Sequence, residues 1–258
     1  MLAKDEILKG LKTKNIAKKL FVFDSIDSTN VCAKTLADAG SEDGTVVVAD
    51  FQSQGRGRLG RAWEARPGTS LLFSTVLRPG IQLESAGLLA FFAAVCVART
   101  LEQETGLPVE CKWPNDLLLR GKKVCGILIE NSLSQQGLVY SVAGIGLNVK
   151  QRTFSGTLNS KATSVARETG KEPNRTRLLQ TLLTEMDNLY ADVRANNFDR
   201  IMNEWNSRCS MFGKTVSVMQ HDHRVDGSAV GLSSEGGLVI KTQKGIETVF
   251  AGDVTVLS

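Results

Sequence analysis

Short apolar runs and segments of helical periodicity alternate through most of the chain. The apolar runs, rich in β-branched residues, predict buried strands, at residues 20–23, 45–50, 70–77, 124–130 and 140–148. Apolar residues at helical spacing predict helices, at residues 5–14, 28–37, 84–106, 164–170, 175–193 and 198–208. Residues 109–119 are strand-like but contain Pro114, which predicts a bulge or turn at that point.

After Ser210 the pattern changes to short strands that are separated by glycine or Asp-Gly turns. These strands are predicted at residues 214–219, 228–232, 238–242, 247–250 and 254–257. Five short strands in one segment predict a small SH3-like β-barrel. Adjacent antiparallel strands with helices before and after them indicate the α+β class. We therefore expect a larger domain with a mixed β-sheet over residues 1–209 and an SH3-like domain over residues 210–258.

Composition narrows the class of protein without defining its chemistry. With 42% hydrophobic and 22% charged residues, the chain is typical of a globular protein. Its net charge of +4 is too mild to favour DNA binding by itself. The longest apolar run, residues 88–97, is shorter than the ~20 residues of a membrane span. The five cysteines are scattered and form no Cys-x-x-Cys pair, which favours small buried hydrophobes and a cytoplasmic location.

Residues 52–63 contain the densest chemistry of the chain. Three glycines alternate with three arginines, in the order Gly55, Arg56, Gly57, Arg58, Gly60 and Arg61. Glycine lets the backbone approach a ligand, and arginine offers a planar fork of donors to a carboxylate or phosphate. The pattern predicts a flexible cationic loop that closes over an anion, and residues 52–63 are called the arginine loop below. A solvated basic turn and an Arg-Gly nucleic-acid patch are the alternatives, whereas the glycine spacing fits neither a P-loop nor a dinucleotide fingerprint.

Three other polar groups stand at the ends of predicted elements. Ser28, Thr29 and Asn30 begin a helix, where they either cap it or hold a small polar ligand. The turn at Pro114 presents Lys112, Asn115 and Asp116. His221-Asp222-His223 has two metal-ligand side chains, but no further ligand cluster is near in sequence, so we expect a polar turn.

Five motifs in this order resemble the biotin protein ligases. They are Asp-Ser-Thr-Asn at 27–30, the Gly-Arg loop with Trp63, Lys-Trp-Pro-Asn-Asp at 112–116, Lys123 with Gly-Ile-Leu-Ile-Glu at 126–130, and Gly-Ile-Gly-Leu-Asn at 144–148. The resemblance covers nearly the whole chain. It implies a class II synthetase-like catalytic domain followed by the small barrel. It also implies two reactions: biotin and ATP give biotinyl-5′-AMP and pyrophosphate, and a lysine of a biotin carboxyl carrier protein then accepts the biotinyl group.

The resemblance assigns roles to individual residues. Arg58 and Lys123 are the catalytic residues, with Lys123 reaching the reacting carboxyl and phosphate. The remaining biotin site is implied at Ser28, Thr29, Asn30, Gln52, Arg56, Gly57, Gly126 and Gly144. The nucleotide site is implied at Arg56, Arg58, Arg61, Trp63, Asn115 and Asn148. Asp116 is expected to help hold Mg²⁺, whereas Trp113 is expected in the core.

The same resemblance sets expectations about partners. Members that repress biotin-synthesis genes carry an N-terminal winged-helix domain, and only about twenty residues precede the first predicted strand. We therefore expect a ligase-only protein with biotin, ATP and a carrier protein as partners, and with no specific DNA and no membrane. The sequence leaves the oligomeric state open, a homodimer included.

Two other functions compete with this reading. A lipoate–protein ligase would share the catalytic fold, but the arginine loop, the Lys-Trp-Pro-Asn-Asp motif and the terminal barrel favour biotin. A nucleic-acid-binding module would use the Arg-Gly loop and the barrel, yet the predicted barrel strands lack interleaved exposed aromatic residues.

Overall fold

The computed structural model describes residues 1–220 and 223–257. Seven strands come first, and the bounds are β1 Leu20–Ile26, β2 Val46–Gln52, β3 Ser70–Leu77, β4 Glu110–Lys112, β5 Asp116–Leu119, β6 Lys122–Ser134 and β7 Gly137–Asn148. The later strands are β8 Thr215–Gln220, β9 His223–Leu232, β10 Leu238–Thr242, β11 Gly245–Val249 and β12 Asp253–Val256. The helices are α1 Lys4–Leu8, α2 Thr29–Asp38, α3 Leu89–Thr105, α4 Leu158–Lys161, α5 Val165–Thr169, α6 Arg175–Arg194 and α7 Asp199–Ser207. His221 and Asp222 of the expected polar turn lie outside the described residues.

The first seven strands form one mixed sheet, in the order β1-β2-β3-β7-β6-β5-β4. Only β1 and β2 are parallel, and α2 connects them, while the other neighbours are antiparallel. The α+β class and the mixed sheet predicted from sequence are confirmed. Between β4 and β5 the Trp113–Pro114 peptide is cis, at the turn that Pro114 predicts.

The two faces of this sheet are covered differently. Alternate residues of a strand point to opposite faces, and Val46 and Val48 join the main core under α3 and α6 while Val47 joins a small cluster under α2. The main core is large and includes the long apolar faces of α3 and α6. The second cluster is small, so α2 leaves part of its face of the sheet open.

The last five strands form a separate antiparallel sheet, in the order β11-β10-β9-β8-β12. This confirms the five short strands expected of the SH3-like domain. Its apolar residues, Val218 and Ile240 among them, belong to the same core as the first domain. The buried indole of Trp113 donates a hydrogen bond from Nε1 to the carbonyl oxygen of Gly236, 3.0 Å away, and so joins the two sheets.

Several element bounds differ from the prediction. The first helix covers only Lys4–Leu8, because Gly10 adopts a φ of 82° and the following residues are held by a carboxylate from α6. Asp187 accepts there from the backbone N–H groups of Lys14, Asn15 and Ile16. The β6–β7 hairpin extends further than its apolar core, and α4 was not predicted at all.

Helix α3 lies in the core, and the five cysteines lie in the core or pack against it. The stretch Leu83–Thr105, which contains α3, is long and apolar enough to span a membrane by length and composition, but 67% of its apolar window is buried against the rest of the protein. All five cysteines are free thiols, and burial raises the pKa of each of them. None of them is therefore an activated nucleophile at neutral pH.

Candidate active site

A cavity of about 990 Å³ lies on the open face of the large sheet, beside α2 and facing the SH3-like domain. All the candidate residues predicted from sequence line it. They are Ser28, Thr29, Asn30, Gln52, Arg56, Gly57, Arg58, Arg61, Trp63, Asn115, Asp116, Lys123, Gly126, Gly144 and Asn148. These residues come from eight elements and connections of the fold, and the topology alone brings them together.

Glycines keep this face of the sheet open. Gly126 on β6 pairs with Gly146 on β7, and Gly144 is two residues before Gly146 on the same face. A Cβ atom on Gly144 would lie 2.0 Å from Asn30 Oδ1, and one on Gly146 would lie 2.6 Å from the indole of Trp63. Any side chain at either position would therefore displace a cavity residue.

Asn30 and Thr29 are tied to the sheet by a buried hydrogen-bond network. Asn30 donates from Nδ2 to Glu130 Oε2 at 2.7 Å, and its Oδ1 lies 2.6 Å from the hydroxyl of Ser74. Thr29 donates to Gln52 Oε1 from its backbone nitrogen at 2.7 Å and from its hydroxyl at 2.9 Å. The network fixes the N-terminal end of α2 over the cavity floor.

Ser28 is the N-cap residue of α2, yet its side chain makes no capping hydrogen bond. It is 3% exposed and lines the cavity. The capping explanation therefore does not account for this serine, because its hydroxyl is not used for the helix. Gln52 has only its carbonyl oxygen engaged by Thr29, so its amide nitrogen is available as a donor on the same side of the cavity.

The arginine loop closes on itself as an irregular hairpin. Gly57 donates its backbone N–H to the carbonyl of Arg61 at 2.7 Å, and Trp63 donates to the carbonyl of Gly55 at 2.9 Å. The chain reverses at Leu59 and Gly60, with φ of 54° and 73°. Positive φ is therefore needed at Gly60, while Gly57 has an ordinary φ of −112°.

Arg58 and Arg61 point from this loop toward different partners. Arg58 is half-buried, and its Nη1 donates to Asn115 Oδ1 at 3.3 Å. Burial lowers the pKa of Arg58, and the charges of Asp253 and Asp116 partly oppose that shift. Arg61 is exposed and forms a bidentate ion pair with Asp253 of β12, through Nη1 and Nη2.

Lys123 lies on β6 and lines the cavity. Its Nζ lies 2.6 Å from Asp116 Oδ1 and 5.6 Å from the ring centroid of Trp63. The Trp63 indole rests on Gly126 and Gly146. The ion pair anchors the Lys123 side chain and leaves its ammonium close to the open cavity.

Cations are concentrated in this cavity. Seven basic residues line it, namely Arg56, Arg58, Arg61, Lys112, Lys123, Lys161 and Lys214, against the three carboxylates Glu64, Asp116 and Asp253. The excess equals the net charge of the whole chain, +4. The mild overall charge is thus concentrated at one site, which suits a polyanionic ligand.

Two buried polar atoms at the cavity have no hydrogen-bond partner among the residues that the structure describes. They are Nε1 of Trp63, a donor, and Oδ1 of Asn148, an acceptor. The amide nitrogen of Asn148 is engaged, since it donates to the carbonyl of Thr163 at 3.1 Å. Buried polar groups normally have partners, so this pair indicates a ligand with both a donor and an acceptor.

Several residues that line or support the cavity were not identified from the sequence. Ser74 had a detectable signal, because a hydroxyl in the middle of an apolar strand needs a partner, and here it contacts Thr29 and Asn30. Asp253 gave no signal, because it is 192 residues away from Arg61. Lys161 ends the short helix α4 and Lys214 directly precedes β8, and only the fold brings these two positions to the cavity.

The carboxylates at the cavity set limits on a metal site. Among the described residues no group of three or more His, Cys, Asp or Glu side chains converges. Mg²⁺ does not need such a group, because it binds through one or two carboxylates together with the phosphates of its substrate. Asp116 is suitably exposed to the cavity for this role, and its present partner is Lys123.

Comparison with known families matches both parts of the chain. Residues 22–148 match the Biotin/lipoate A/B protein ligase family, and residues 211–257 match the Biotin protein ligase C terminal domain. The first match contains most of the residues that line the cavity, and the second contains the SH3-like sheet with Asp253.

Relatives of known name align along nearly the whole chain. The bifunctional ligase/repressor BirA of Bacillus spizizenii is 34% identical over 98% of this chain and 78% of its own length. The biotin–[acetyl-CoA-carboxylase] ligase of Paracoccus denitrificans is 32% identical over 88% of this chain and 96% of its own length. A solved structure of the Aquifex aeolicus biotin protein ligase with biotin and ATP is 32% identical, with a TM-score of 0.79 over 93% of this chain and 100% of that one. The cavity and these matches agree, and the chain belongs to the biotin protein ligase family.

Proposed function

We propose that this protein is a biotin–protein ligase that activates biotin with ATP and transfers it to a lysine of a biotin carboxyl carrier protein. The observation that carries the proposal is that one cavity contains both a polar pocket at the end of α2 and a cluster of seven cations. A neutral head group, a carboxylate and a polyphosphate would bind side by side there. Relatives named as biotin ligases support the same function.

The biotin head group fits the α2 end of the cavity. Its ureido ring has two N–H donors and one carbonyl acceptor, so the protein must offer both kinds of group. Ser28 supplies a free hydroxyl, and Gln52 supplies an unengaged amide N–H. Thr29 and Asn30 act mainly by holding the helix end, because their polar atoms are bonded within the protein. Gly144 leaves room for this packing.

The nucleotide fits the end with Trp63, Asn115 and Asn148. Adenine has an exocyclic amino donor and ring-nitrogen acceptors, which match the free Asn148 carbonyl and the free Trp63 N–H. Arg56, Arg58 and Arg61 would neutralise the phosphates and the biotin carboxylate. Asp116 would help hold Mg²⁺, which supplies charge neutralisation to the triphosphate when it is bound.

The first step joins two anions, so its barrier is largely electrostatic. A carboxylate oxygen of biotin attacks the α-phosphorus of ATP, and the bond to the β-phosphate oxygen breaks to release pyrophosphate. Lys123 and Arg58 would offset the charge that collects between the carboxylate and the phosphorus. Both cations are held in place before substrate arrives, by Asp116 and Asn115 respectively, so little reorganisation is needed.

The second step needs a lysine of the carrier protein in its neutral form. Its amine attacks the carbonyl carbon of biotinyl-AMP, AMP leaves, and the amine loses a proton. The arginine loop would shield the mixed anhydride from water until the carrier docks. We propose a cytoplasmic protein that acts without specific DNA and without a membrane.

Pyrophosphate release tests the first step. Release should require biotin, ATP and Mg²⁺ together, and a carrier domain should then become biotinylated. Lys123→Ala should lower pyrophosphate release by about a hundredfold, because a positioned charge in the transition state is lost. Lys122→Ala is the matched control and should keep the parent rate, since that lysine is adjacent in sequence but does not line the cavity. Release that ignores biotin, or equal rates for the two variants, would contradict the proposal.

A further inference from the structure

The ion pair between Arg61 and Asp253 connects two parts of the molecule with no sequence proximity. Arg61 lies at the end of the arginine loop, and Asp253 begins β12 of the SH3-like sheet. Both line the cavity. The field of Asp253 also reaches Arg58, where it is the largest charge effect acting on that guanidinium. A carboxylate of the second domain therefore pairs with Arg61 and also acts electrostatically on Arg58, whose own contact is with Asn115.

The strength of this pair suits a contact that a ligand can displace. The Arg61 side chain is 63% exposed and the Asp253 side chain 43%. Ion pairs with this exposure contribute little to stability and are weakened by salt. They still restrict where an arginine points, because the bidentate geometry fixes the guanidinium plane. A phosphate offers the same geometry with more charge and would replace the carboxylate.

We propose that Asp253 is a positioning residue that holds Arg61, and with it the arginine loop, over the cavity until the phosphates of ATP take the guanidinium. This inference rests on the proposed function for the identity of the ligand. The restraint of the loop by the Arg61–Asp253 ion pair does not depend on the proposed function. The SH3-like domain thereby takes part in nucleotide binding through one side chain.

The sign of the effect on ATP separates this role from a merely structural one. Asp253 is an anion beside a site for a polyanion, and it occupies a donor that ATP needs. Removing its charge relieves the repulsion and frees Arg61, so ATP should bind more tightly. A carboxylate that only stabilised the loop would have the opposite effect, because its loss would leave a less ordered site.

The experiment compares Asp253→Asn with two other variants. Asp253→Glu keeps the charge and should behave like the parent. Asp226→Asn is the matched control, because Asp226 forms an equally exposed pair with Arg224 in the same domain, at 2.8 Å, away from the cavity. The first measurement is hydrogen exchange of the loop amides of Gly57, Arg61 and Trp63 without ligand. The second is the Kd of ATP with Mg²⁺ by titration calorimetry, beside the Kd of biotin.

For Asp253→Asn we expect faster exchange across the loop and a Kd for ATP that is about threefold to tenfold lower, with an unchanged Kd for biotin. Exchange equal to that of the parent overturns the inference, and so does a Kd for ATP that is unchanged or raised. The proposed function fails separately, if the parent binds ATP but releases no pyrophosphate with biotin.

Discussion

Asn30 and Ser28 are two residues apart, and their polar side chains have different roles. Asn30 has both polar atoms of its side chain engaged by Glu130 and Ser74. Ser28 is equally buried but has an uncommitted hydroxyl that lines the cavity. The sequence motif contains both residues and does not distinguish the one that supports the site from the one that is free to bind.

The Gly144→Ala substitution tests the supporting role of Asn30. The new methyl group would lie 2.0 Å from Asn30 Oδ1, so Asn30 must move and its bonds to Glu130 and Ser74 must weaken. We expect a loss of about 1–3 kcal/mol in the free energy of unfolding, together with weaker biotin binding. Urea unfolding and calorimetry measure the two effects. Gly231→Ala, in β9 with open space around it, should cost less than about 1 kcal/mol, and equal losses for the two variants would contradict the argument.

Arg58→Gly tests whether the half-buried guanidinium retains the adenylate. The variant loses a charge and the contact to Asn115, while Lys123 remains to support adenylation. We expect biotinyl-AMP to form but to be held about tenfold to a hundredfold more weakly, so that it escapes and labels bystander lysines. Biotin incorporation into albumin, beside pyrophosphate release, measures both. Arg58→Lys keeps the charge and should label less, whereas normal adenylate formation with no labelled albumin would rule out this role.

At the scale of elements, the active site is built where a flexible loop meets a rigid sheet. The sheet face is fixed by paired strands and by glycines that leave it open. The backbone of the arginine loop is less restrained than the sheet, because only two backbone hydrogen bonds join its two sides and its tip is exposed. Ligand binding is therefore expected to change the loop far more than the sheet.

Hydrogen exchange tests this difference. Among the described residues Arg56 and Arg58 form no ion pair, and Arg61 has only an exposed one with Asp253. An anionic ligand that neutralises these charges should restrain the loop, so residues 56–61 should exchange several-fold more slowly with biotin and ATP than without ligand. The exposed tip of the β6–β7 hairpin, residues 134–137, lies outside the cavity and is the internal control. Equal protection of the loop in both states would show that it is already rigid.

Sequence patterns predicted which helices and strands exist better than they predicted where each one ends or which elements lie next to one another. The apolar runs located most strands of the first domain, because buried strands need continuous β-branched residues. They missed the length of the β6–β7 hairpin, whose outer part is half-exposed and carries no apolar signal. The site motifs came together as the family resemblance implied. Ser74 and Asp253 did not belong to any motif, because their roles depend on strand order and on docking between the two sheets.

At the scale of the whole molecule, the two sheets share one hydrophobic core. The Trp113 side chain is only 2% exposed and donates to the carbonyl of Gly236 across that core. The division of the chain at residues 209 and 210 remains a prediction. The shared core argues that the two parts unfold together, because neither can expose its side of the core without cost.

Trp113→Phe tests this coupling. The substitution leaves the Gly236 carbonyl unpaired and removes buried volume, so we expect a loss of about 1–3 kcal/mol or more in the free energy of unfolding. Amides of Val218 in the second sheet and of Phe73 in the first should lose protection together in hydrogen exchange. If only one sheet becomes less protected, the two are independent folding units.

Trp63 packs on Gly126 and Gly146 at the cavity, so its intrinsic fluorescence can report ligand binding. The chain has three tryptophans, and Trp113 and Trp205 are buried in the core, at 2% and 1% exposure. Trp63 and Trp113 both border the cavity, but only Trp63 is partly exposed, and it lies beside the ammonium of Lys123. A nucleotide that enters would change the polarity around the Trp63 indole far more than around the two buried indoles. The intrinsic emission of the unlabelled protein should therefore follow occupancy of the site in real time, and Trp63→Phe should remove most of the signal while most of the fluorescence remains.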